Sequence, residues 1–427
     1  MTPTIIVLLI SILVFMTIGV PIVWSMALSS FLAILVQGDV ALTFIAQRMF
    51  TGAEKYSMLA IYFFILAGVL MKEGGLSERL INFSNSLVGH IHGGLSLVVL
   101  FTSVFFAAIS GSSVATTVAI GSMLYPAMLE QKYPADYAAA IPAVGGTLGI
   151  VIPPSLLFVL YGSVTNTSIS GLLLSGVIPG VLGGLVLMVI AYIIAKKKDF
   201  PVSGNFKFTK VFSTFRQAFL ALMMPIIILG GIYAGIFTPT ESAAVACVYG
   251  LIVSRFVYHD LTCKKLFDIL VDCAKSTANI MVLVMGATMF SWILTANNVH
   301  MYVSNWFPSH INSPALFLLT VNILLLFLGM VMENGATVLI LAPLLTPIAA
   351  SYNIDPIHFG LIVVFNLAVG QATPPYGVCL FAASNISKRK VMSIGRESLP
   401  FIIGLFVTVL VCTYCPILST WLPNMLK

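Results

Sequence analysis

The chain has 427 residues, of which 59% are hydrophobic and only 8% are charged, and its mean hydropathy is +1.07. A water-soluble fold cannot cover that much apolar surface, so the composition excludes a soluble globular protein and predicts a polytopic membrane protein. The net charge of +6 does not indicate a nucleic-acid partner, because membrane proteins keep Lys and Arg on the cytoplasmic side of their spans.

Ten apolar stretches predict membrane-spanning helices, because a helix needs about 20 apolar residues to cross the hydrocarbon core. They are residues 4–20, 22–36, 57–71, 136–161, 170–195, 217–236, 240–257, 277–296, 358–386 and 397–424. The first stretch has no basic residue before it and no small-x-small cleavage site after it, so we predict a membrane helix there and not a signal peptide. The fold class predicted is all-α.

Two further regions do not fit a single span. Residues 95–130 are apolar on both sides of "SGSSVATT", and residues 315–350 are apolar on both sides of "MENGAT". Each region is too long for one crossing, and each half is too short. We predict two re-entrant helical hairpins, whose polar tips must be buried in protein or line a polar cavity. A polar kink in one tilted helix is the alternative.

A double proline occurs twice in apolar sequence, where proline breaks a helix. A shift of 221 residues places Pro153 and Pro154 on Pro374 and Pro375. The same shift superimposes the glycines that lie four residues before each pair. Prolines and glycines set backbone shape, so their coincidence indicates an internal duplication.

The predicted repeats cover residues 1–195 and 217–427, and a basic linker over residues 196–216 joins them. Each repeat holds five spans and one hairpin, and an odd number of spans inverts the second repeat relative to the first. Inverted repeats with broken helices are the usual build of secondary transporters. Amphipathic stretches at residues 39–51 and 261–274 predict interfacial helices on opposite faces.

The distribution of basic residues predicts the orientation. If the linker is cytoplasmic, every Lys and Arg falls in a cytoplasmic segment except Arg48, Lys55 and Lys427. This orientation places the N-terminus on the outer, periplasmic side.

Polar residues in the apolar regions concentrate at the hairpin tips and at the proline breaks. The first set is Ser110, Ser112, Ser113, Thr116 and Thr117 with Gly149 and Ser155, and the second is Glu333, Asn334 and Thr337 with Gly370, Gln371, Thr373 and Tyr376. Unwound carbonyls and hydroxyls suit a hard cation such as sodium, whereas helix N-termini favour an anionic substrate. We predict one sodium site where each tip meets its break.

Several alternatives stay open. Small and hydroxyl residues can instead serve helix packing in lipid. Proton coupling would need chains of Asp, Glu and His, and the two sets contain only Glu333; Glu241 is a second buried candidate or a helix cap. A passive channel is possible, as is an intramembrane hydrolase using Ser112 or Ser113, although no G-x-S-x-G is present. No P-loop is present, so ATP use is not predicted.

Four motifs carry a resemblance to a known family. In this order along the whole chain, "SGSSVATT", "GTLGIVIPPS", "GGIYAGIFTPTESAAV" and "GQATPPYG" resemble the large membrane subunit of tripartite ATP-independent periplasmic (TRAP) transporters, and "GIFTPTE" at 235–241 is especially specific. The resemblance implies two partners, a separate small four-helix membrane subunit and a soluble periplasmic substrate-binding protein. It also implies sodium symport of a small organic acid across a bacterial inner membrane, by an elevator motion of the hairpin-bearing domain against a scaffold.

Carried over by position, the resemblance implies sodium sites, for two or more ions, at the tips and breaks. The sodium ligands would be Ser112, Ser113, Thr116, Gly149, Glu333, Asn334, Thr337, Gly370 and Thr373. The substrate would lie between the tips, at Ser110, Ser112, Ser155 and Tyr376. The family commonly has Asp-Pro where this chain has Glu333-Asn334, which lengthens the acid and removes a rigidifying proline.

Two stretches bear on the substrate. The general pattern of "EKYSMLAIYFFILAGVLM" and "GHIHGGLSLVVLFTSVFFAAISGS" favours sialic acid over a C4-dicarboxylate. No cluster of intramembrane Arg marks a dicarboxylate site, although helix N-termini can bind carboxylates.

Overall fold

The structure is a computed structural model that describes residues 3–38, 40–41, 43–202, 206–299, 301–302, 311 and 313–425. Within these residues the chain forms α-helices and no β-strand. The helices are α1 (Pro3–Thr17), α2 (Ile22–Gln37), α3 (Thr43–Ala53), α4 (Leu59–Glu73), α5 (Leu76–Val88), α6 (Gly94–Ser110), α7 (Ser113–Glu130), α8 (Ala135–Gly146), α9 (Leu156–Thr165), α10 (Ile169–Ser175), α11 (Val177–Lys197), α12 (Phe208–Tyr233), α13 (Pro239–Ile252), α14 (Cys263–Ala296), α15 (Pro314–Val331), α16 (Asn334–Ser351), α17 (Pro356–Gly370), α18 (Val378–Ser387), α19 (Val391–Tyr414) and α20 (Ile417–Asn424).

The prediction of an all-α polytopic membrane protein is confirmed. Eight helical segments in the described part of the chain are long and apolar enough to cross a membrane. The two predicted spans that contain a double proline are each divided into two helices. Residues 136–161 correspond to α8 and α9, separated by a 3-10 turn at Thr147–Ile150 and the proline break, and residues 358–386 correspond to α17 and α18.

Both predicted hairpins fold back on themselves, so the alternative of a single kinked helix is wrong. In the first, α6 packs along α7, and Gly111 makes the reversal with a left-handed backbone (φ 61°). In the second, the rings of Phe317 and Tyr352, at the open end of the hairpin, are stacked 4.8 Å apart. We call the two helices of each hairpin its arms, and each arm has 17 or 18 residues. The second arms, α7 and α16, are longer than the apolar halves seen in the sequence, because they begin within the polar tips.

The helix bounds repeat at the spacing that the prolines indicate. Ser113–Glu130 and Asn334–Ser351 correspond end to end at a shift of 221 residues, and the starts of α8 and α17 coincide at the same shift. The repeat boundaries at 1–195 and 217–427 stay a prediction. The helix α12 begins at Phe208, inside the stretch assigned to the linker.

One of the two predicted interfacial helices is not separate. In the first repeat α3 ends at Ala53, and a short 3-10 turn precedes α4. In the second repeat residues 261–274 run directly into the span, so α14 is one helix of 34 residues. The prediction of a separate helix there is wrong, because α14 contains no proline and packs along α2 and α3.

Glu241 is a helix cap and not a buried acid. Its carboxylate accepts hydrogen bonds from the backbone N–H of Thr238 at 2.8 Å and from the Thr238 hydroxyl at 2.9 Å, and it is exposed. The Thr238 hydroxyl in turn accepts from the backbone N–H of Glu241, which completes a capping box at the start of α13.

The helices form two packing groups, each built from both repeats. We call residues 3–88 and 208–296 the frame, in which α4 packs on α13, α2 on α14 and α5 on α12. We call residues 94–197 and 314–424 the core bundle. At its centre α8 and α17 are buried along almost their whole length, whereas α1 carries exposed Ile and Leu side chains suited to lipid.

The core bundle is held together by contacts that cross between the repeats. Helix α9, after the first break, packs on the second hairpin, where the Tyr161 and Thr346 hydroxyls lie 2.8 Å apart. Reciprocally, α18 packs on α7, and Arg389 donates two hydrogen bonds to Asp136 at 2.6 and 3.0 Å. Each hairpin is therefore supported by the broken helix of the other repeat.

Close backbone packing at Gly329 generates a stability prediction. A Cβ atom at this position of α15 would lie 2.9 Å from Cα and 3.1 Å from the carbonyl oxygen of Leu367 in α17. Gly329→Ala should lower the free energy of unfolding by about 1–3 kcal/mol, because backbone atoms cannot yield as a flexible side chain can. The control is Gly230→Ala in α12, where a Cβ would meet nothing within 4 Å. Equal thermal unfolding midpoints of the two variants in detergent would contradict the prediction.

Candidate functional site

The first hairpin tip is a tight turn that only glycine fits. α6 ends at Ser110, and Gly111 has φ 61°, a backbone conformation that residues with a Cβ rarely adopt. A Cβ on Gly111 would also lie 2.7 Å from the carbonyl oxygen of Pro154. The next residue, Ser112, caps α7 by accepting a hydrogen bond from a backbone N–H at 3.4 Å. The tip therefore lies directly against the first proline break.

Four predicted residues meet at this contact. The hydroxyls of Ser110 and Thr116 lie 2.8 Å apart, and Thr116 donates to the carbonyl oxygen of Ser112, also at 2.8 Å. A Cβ on Gly149 would lie 2.7 Å from the carbonyl carbon of Ser112 and 2.8 Å from Thr116 Oγ1. The structure therefore brings hydroxyl and carbonyl oxygens from the tip against the glycine of the break.

Two further predicted serines fix the backbone of the break. Ser113 donates its hydroxyl to the carbonyl oxygen of Thr147 at 3.4 Å. Ser155 donates to the carbonyl oxygen of Ile150 at 2.6 Å, and its oxygen accepts from the backbone N–H of Phe158, so it caps α9. Both serines are buried and serve the local backbone in this conformation.

At the second tip the N-terminus of α16 is capped by a carboxylate instead of a hydroxyl. The Glu333 carboxylate accepts from the backbone N–H groups of Gly335 at 2.9 Å and Ala336 at 2.8 Å. Thr337, which corresponds to Thr116, donates to the carbonyl oxygen of Glu333 at 2.9 Å. The positive end of α16 is thus already paired with a carboxylate, whereas that of α7 is not.

The second break contacts its hairpin one turn away from the tip. A Cβ on Gly370 would lie 2.8 Å from Cα of Gly329, in the first arm. Asn334 reaches across by donating to the carbonyl oxygen of Leu367 at 3.2 Å, while its own side-chain oxygen is buried and has no hydrogen-bond partner among the described residues. Thr373 donates to the carbonyl four residues before it. The second set is therefore joined through Asn334 and is less closely assembled than the first.

Both tips and both breaks open onto one cavity of about 370 Å³, which we call the central cavity. It is lined by Gly111, Ser112, Ser113, Val114, Ile150, Leu156, Leu157, Leu160, Asn279, Ile280, Leu283, Glu333, Asn334, Gly335 and Gln371. Glu333 is the one acidic residue in this lining, and none of the lining residues is basic. Tyr376, predicted at the substrate site, is 59% exposed and does not line the cavity.

Three helix N-termini face the central cavity. The first residues of α7, α9 and α16, namely Ser113, Leu156 and Asn334, all line it. Because unpaired N–H groups and the helix dipole attract negative charge, an anionic group is favoured there. The neutral serine caps of α7 and α9 leave that attraction available, whereas Glu333 offsets it at α16.

Two polar residues of the cavity are not among the predicted sodium ligands and substrate contacts. Gln371 follows Gly370 and belongs to the second polar set, but it is not one of the ligands that the resemblance implies. Asn279 belongs to α14 of the frame, so it reaches the cavity from outside both hairpins. The sequence feature that points to Asn279 is an amide side chain inside an apolar run. Asn322 and Asn366 have the same feature but do not line the cavity: Asn366 donates to the side-chain oxygen of Asn322 at 2.6 Å inside the core bundle.

Paired hairpins whose tips meet broken helices, around a polar cavity between two helix groups, define the class of membrane transporters with internal repeats. Comparison with known sequences gives the family. A sequence model of the tripartite ATP-independent periplasmic transporter, DctM component, matches residues 9–418. The chain therefore belongs to the large permease family of TRAP transporters, and it is a multi-pass membrane protein.

The names of individual relatives specify different substrates. The chain is 42% identical over 402 residues to the C4-dicarboxylate TRAP transporter large permease protein DctM of Pseudomonas aeruginosa, with 94% of each protein covered. It is 41% identical to the isethionate TRAP transporter permease protein DctMQ of Oleidesulfovibrio alaskensis, covering 94% of this chain and 64% of that protein. It is 36% identical to the sialic acid TRAP transporter large permease protein SiaM of Vibrio cholerae, covering 95% of both.

A solved transporter shares the fold. The YdaH transporter of Alcanivorax borkumensis matches with a TM-score of 0.63 and 16% identity, covering 90% of this chain and 88% of that one. At this identity the likeness extends to the fold alone.

The contact between Gly149 and the first tip generates a prediction about transport. Gly149→Ala should reduce the transport rate at least about tenfold, because its Cβ would push Ser112 and Thr116 away from the break. The matched control is Gly250→Ala in α13, where a Cβ would make only ordinary contacts of 3.6 Å or more. Uptake measured at equal amounts of inserted protein checks this; equal rates for the two variants would contradict it.

Proposed function

We propose that this permease couples the inward movement of sodium to the import of a small organic anion. One observation carries the proposal: Ser112 and Ser113 of the first tip and Glu333 of the second line the central cavity, so hydroxyl and carboxylate oxygens from both tips surround a space with no basic side chain in its lining. Such oxygens are the ligands that a hard cation prefers. The tip residues from Ser110 to Thr116 with Gly149 would hold one sodium ion, and Glu333, Asn334 and Thr337 with Gly370 and Thr373 a second.

The charge of the cavity supports co-transport over anion binding alone. An anionic substrate would enter a space whose only ionisable lining residue is the acidic Glu333. Bound cations would offset that repulsion, because opposite charges at close range in a poorly hydrated site attract strongly. The substrate's acid group would lie near Ser112 and Ser155, at the N-termini of α7 and α9, where the serine caps are neutral.

The position of the cavity supports movement of the core bundle against the frame. Asn279, Ile280 and Leu283 come from the frame, whereas the remaining lining belongs to the core bundle. A site at such a boundary can open first to one side of the membrane and then to the other if the core bundle slides past the frame, as in an elevator mechanism. In the proposed orientation the N-terminus lies in the periplasm. The membrane proposed is the bacterial inner membrane.

The substrate class proposed is a small organic acid, delivered by a periplasmic binding protein and imported with a small membrane subunit. The names of the relatives span dicarboxylate, sulfonate and sugar-acid substrates. The DctMQ relative extends well beyond the region matched by this chain. Sialic acid, favoured by the sequence, is proposed as the first substrate to test and a C4-dicarboxylate as the second.

The test is uptake into proteoliposomes that contain this chain with its small membrane subunit and binding protein. Radiolabelled sialic acid is tested first and succinate second; the one that is transported should accumulate only when a sodium gradient is imposed, and a proton gradient should not replace it. Uptake indifferent to sodium would overturn the coupling. Flux without a binding protein and without saturation would favour a passive channel, and labelling of Ser112 or Ser113 by a serine-reactive probe would favour a hydrolase.

Within this assay Glu333→Gln separates charge from helix capping, because an amide oxygen can still accept from the backbone at α16. Losing the charge should raise the half-saturating sodium concentration about tenfold, which corresponds to about 1.4 kcal/mol of cation binding. Glu130→Gln, an exposed acid at the far end of α7, is the control and should leave that concentration unchanged. An unaltered sodium dependence in Glu333→Gln would remove this residue from the proposed site.

A further inference from the structure

A second polar cavity, of about 450 Å³, lies at the other end of α9 from the proline break. We call it the outer cavity. It is formed by the segment before α4, the turn between α9 and α10, and the start of α13. Its lining is rich in hydroxyl groups, and Lys55 is the only basic residue in it. The frame contributes two of its three segments and the core bundle the third.

The two cavities follow one another along a single face of α9. Leu156 and Leu160 line the central cavity, and Ser163 lines the outer one. Residues spaced by four and three positions share a helix face, and the rise of about 1.5 Å per residue puts Leu156 and Ser163 about 10 Å apart along the axis. A molecule in the outer cavity is therefore about two helical turns from the central cavity.

Lys55 faces the outer cavity without a negatively charged partner. Its ammonium donates to the carbonyl oxygen of Ser163 at 2.6 Å, and no carboxylate in the described part of the chain lies within 4.0 Å of it. Partial burial lowers the pKa of Lys55, because a desolvated ammonium is disfavoured. Arg48, the other basic residue predicted on this side, instead stacks over the rings of Phe44 and Trp292.

Hydroxyl groups around Lys55 complete the set of donors. The hydroxyls of Ser57 and Ser163 lie 3.1 Å apart, and those of Ser170 and Thr240 have no hydrogen-bond partner among the described residues. The nearby acid, Glu241, is already held by the capping box of α13. The outer cavity thus offers one cation and the two uncommitted hydroxyls of Ser170 and Thr240, a combination that suits a carboxylate with neighbouring polar groups.

We propose that the outer cavity is a second binding site for the organic anion, occupied before the anion reaches the central cavity. The proposal rests on the proposed function for the identity of the ligand. The anion's acid group would replace the Ser163 carbonyl as the partner of Lys55, and the hydroxyls would bind its remaining oxygens. The predicted orientation places this cavity on the periplasmic side, where a binding protein releases its cargo.

Occupancy can be measured without transport. The purified full-length chain in detergent is acetylated with a water-soluble amine reagent, and the modification of each lysine is followed by mass spectrometry in the presence of succinate, sialic acid or isethionate. At least one anion should slow acetylation of Lys55 severalfold, and the same protection should persist in Glu333→Gln. Lys275, whose side chain is 72% exposed at the other end of the frame, is the internal control and should react at an unchanged rate.

Transport provides the second readout. In the proteoliposome assay Lys55→Met should raise the KM for the anion about fivefold with little change in the maximal rate, since a partly exposed ion pair contributes about 1 kcal/mol. Lys55→Arg keeps the charge and should stay near the wild type. Protection of Lys55 without any sodium-dependent uptake would overturn the coupling while supporting this site. Absence of protection by all three anions, or an unchanged KM in Lys55→Met, would overturn the outer site alone.

Discussion

The fold depends on one constraint, that unwound backbone inside a bilayer must find partners in the protein. Each double proline ends a helix where no water is available to satisfy the freed N–H and C=O groups. At the first break the hairpin tip supplies two partners: the Gly111 carbonyl oxygen accepts from the backbone N–H of Leu156 at 3.4 Å, and the Ser113 hydroxyl donates to the Thr147 carbonyl oxygen at 3.4 Å. At the same contact Gly149 lies against the carbonyl of Ser112, and Gly111 lies against that of Pro154. The absence of side chains at both glycines lets the two backbones approach closely enough to place several oxygens together.

The two repeats share the same arrangement of hairpin and broken helix, but the residues that cap their hairpin tips differ in charge. Ser112 and Glu333 occupy equivalent positions and both cap the second arm of their hairpin. The serine is neutral, whereas the glutamate brings a full charge into the central cavity. In the proposed function this difference gives the two halves unequal roles: the first tip would meet an anion as well as a cation, and the second tip would bind a cation.

Much of this arrangement follows from local sequence. Long apolar runs, the repeated proline pairs and the small polar tips predict the helices, the breaks and the convergence of Ser110, Ser112, Thr116 and Gly149. The parts that were not predicted depend on contacts between distant segments. Asn279 reaches the cavity only because α14 packs along the second hairpin, and α14 is continuous because α2 and α3 support it. Tyr376 stays outside because the second break meets its hairpin one turn from the tip.

The proposed sodium site, made by tip and break together, can be tested by ion-specific stabilisation of the purified chain. The thermal unfolding midpoint in detergent is measured as sodium chloride replaces potassium chloride at constant ionic strength. A ligand that binds only the folded state stabilises it in proportion to the logarithm of its concentration above the dissociation constant. The midpoint should rise with sodium in the wild type and stay flat in Gly149→Ala. A wild-type midpoint that is the same in sodium and potassium would contradict the claim.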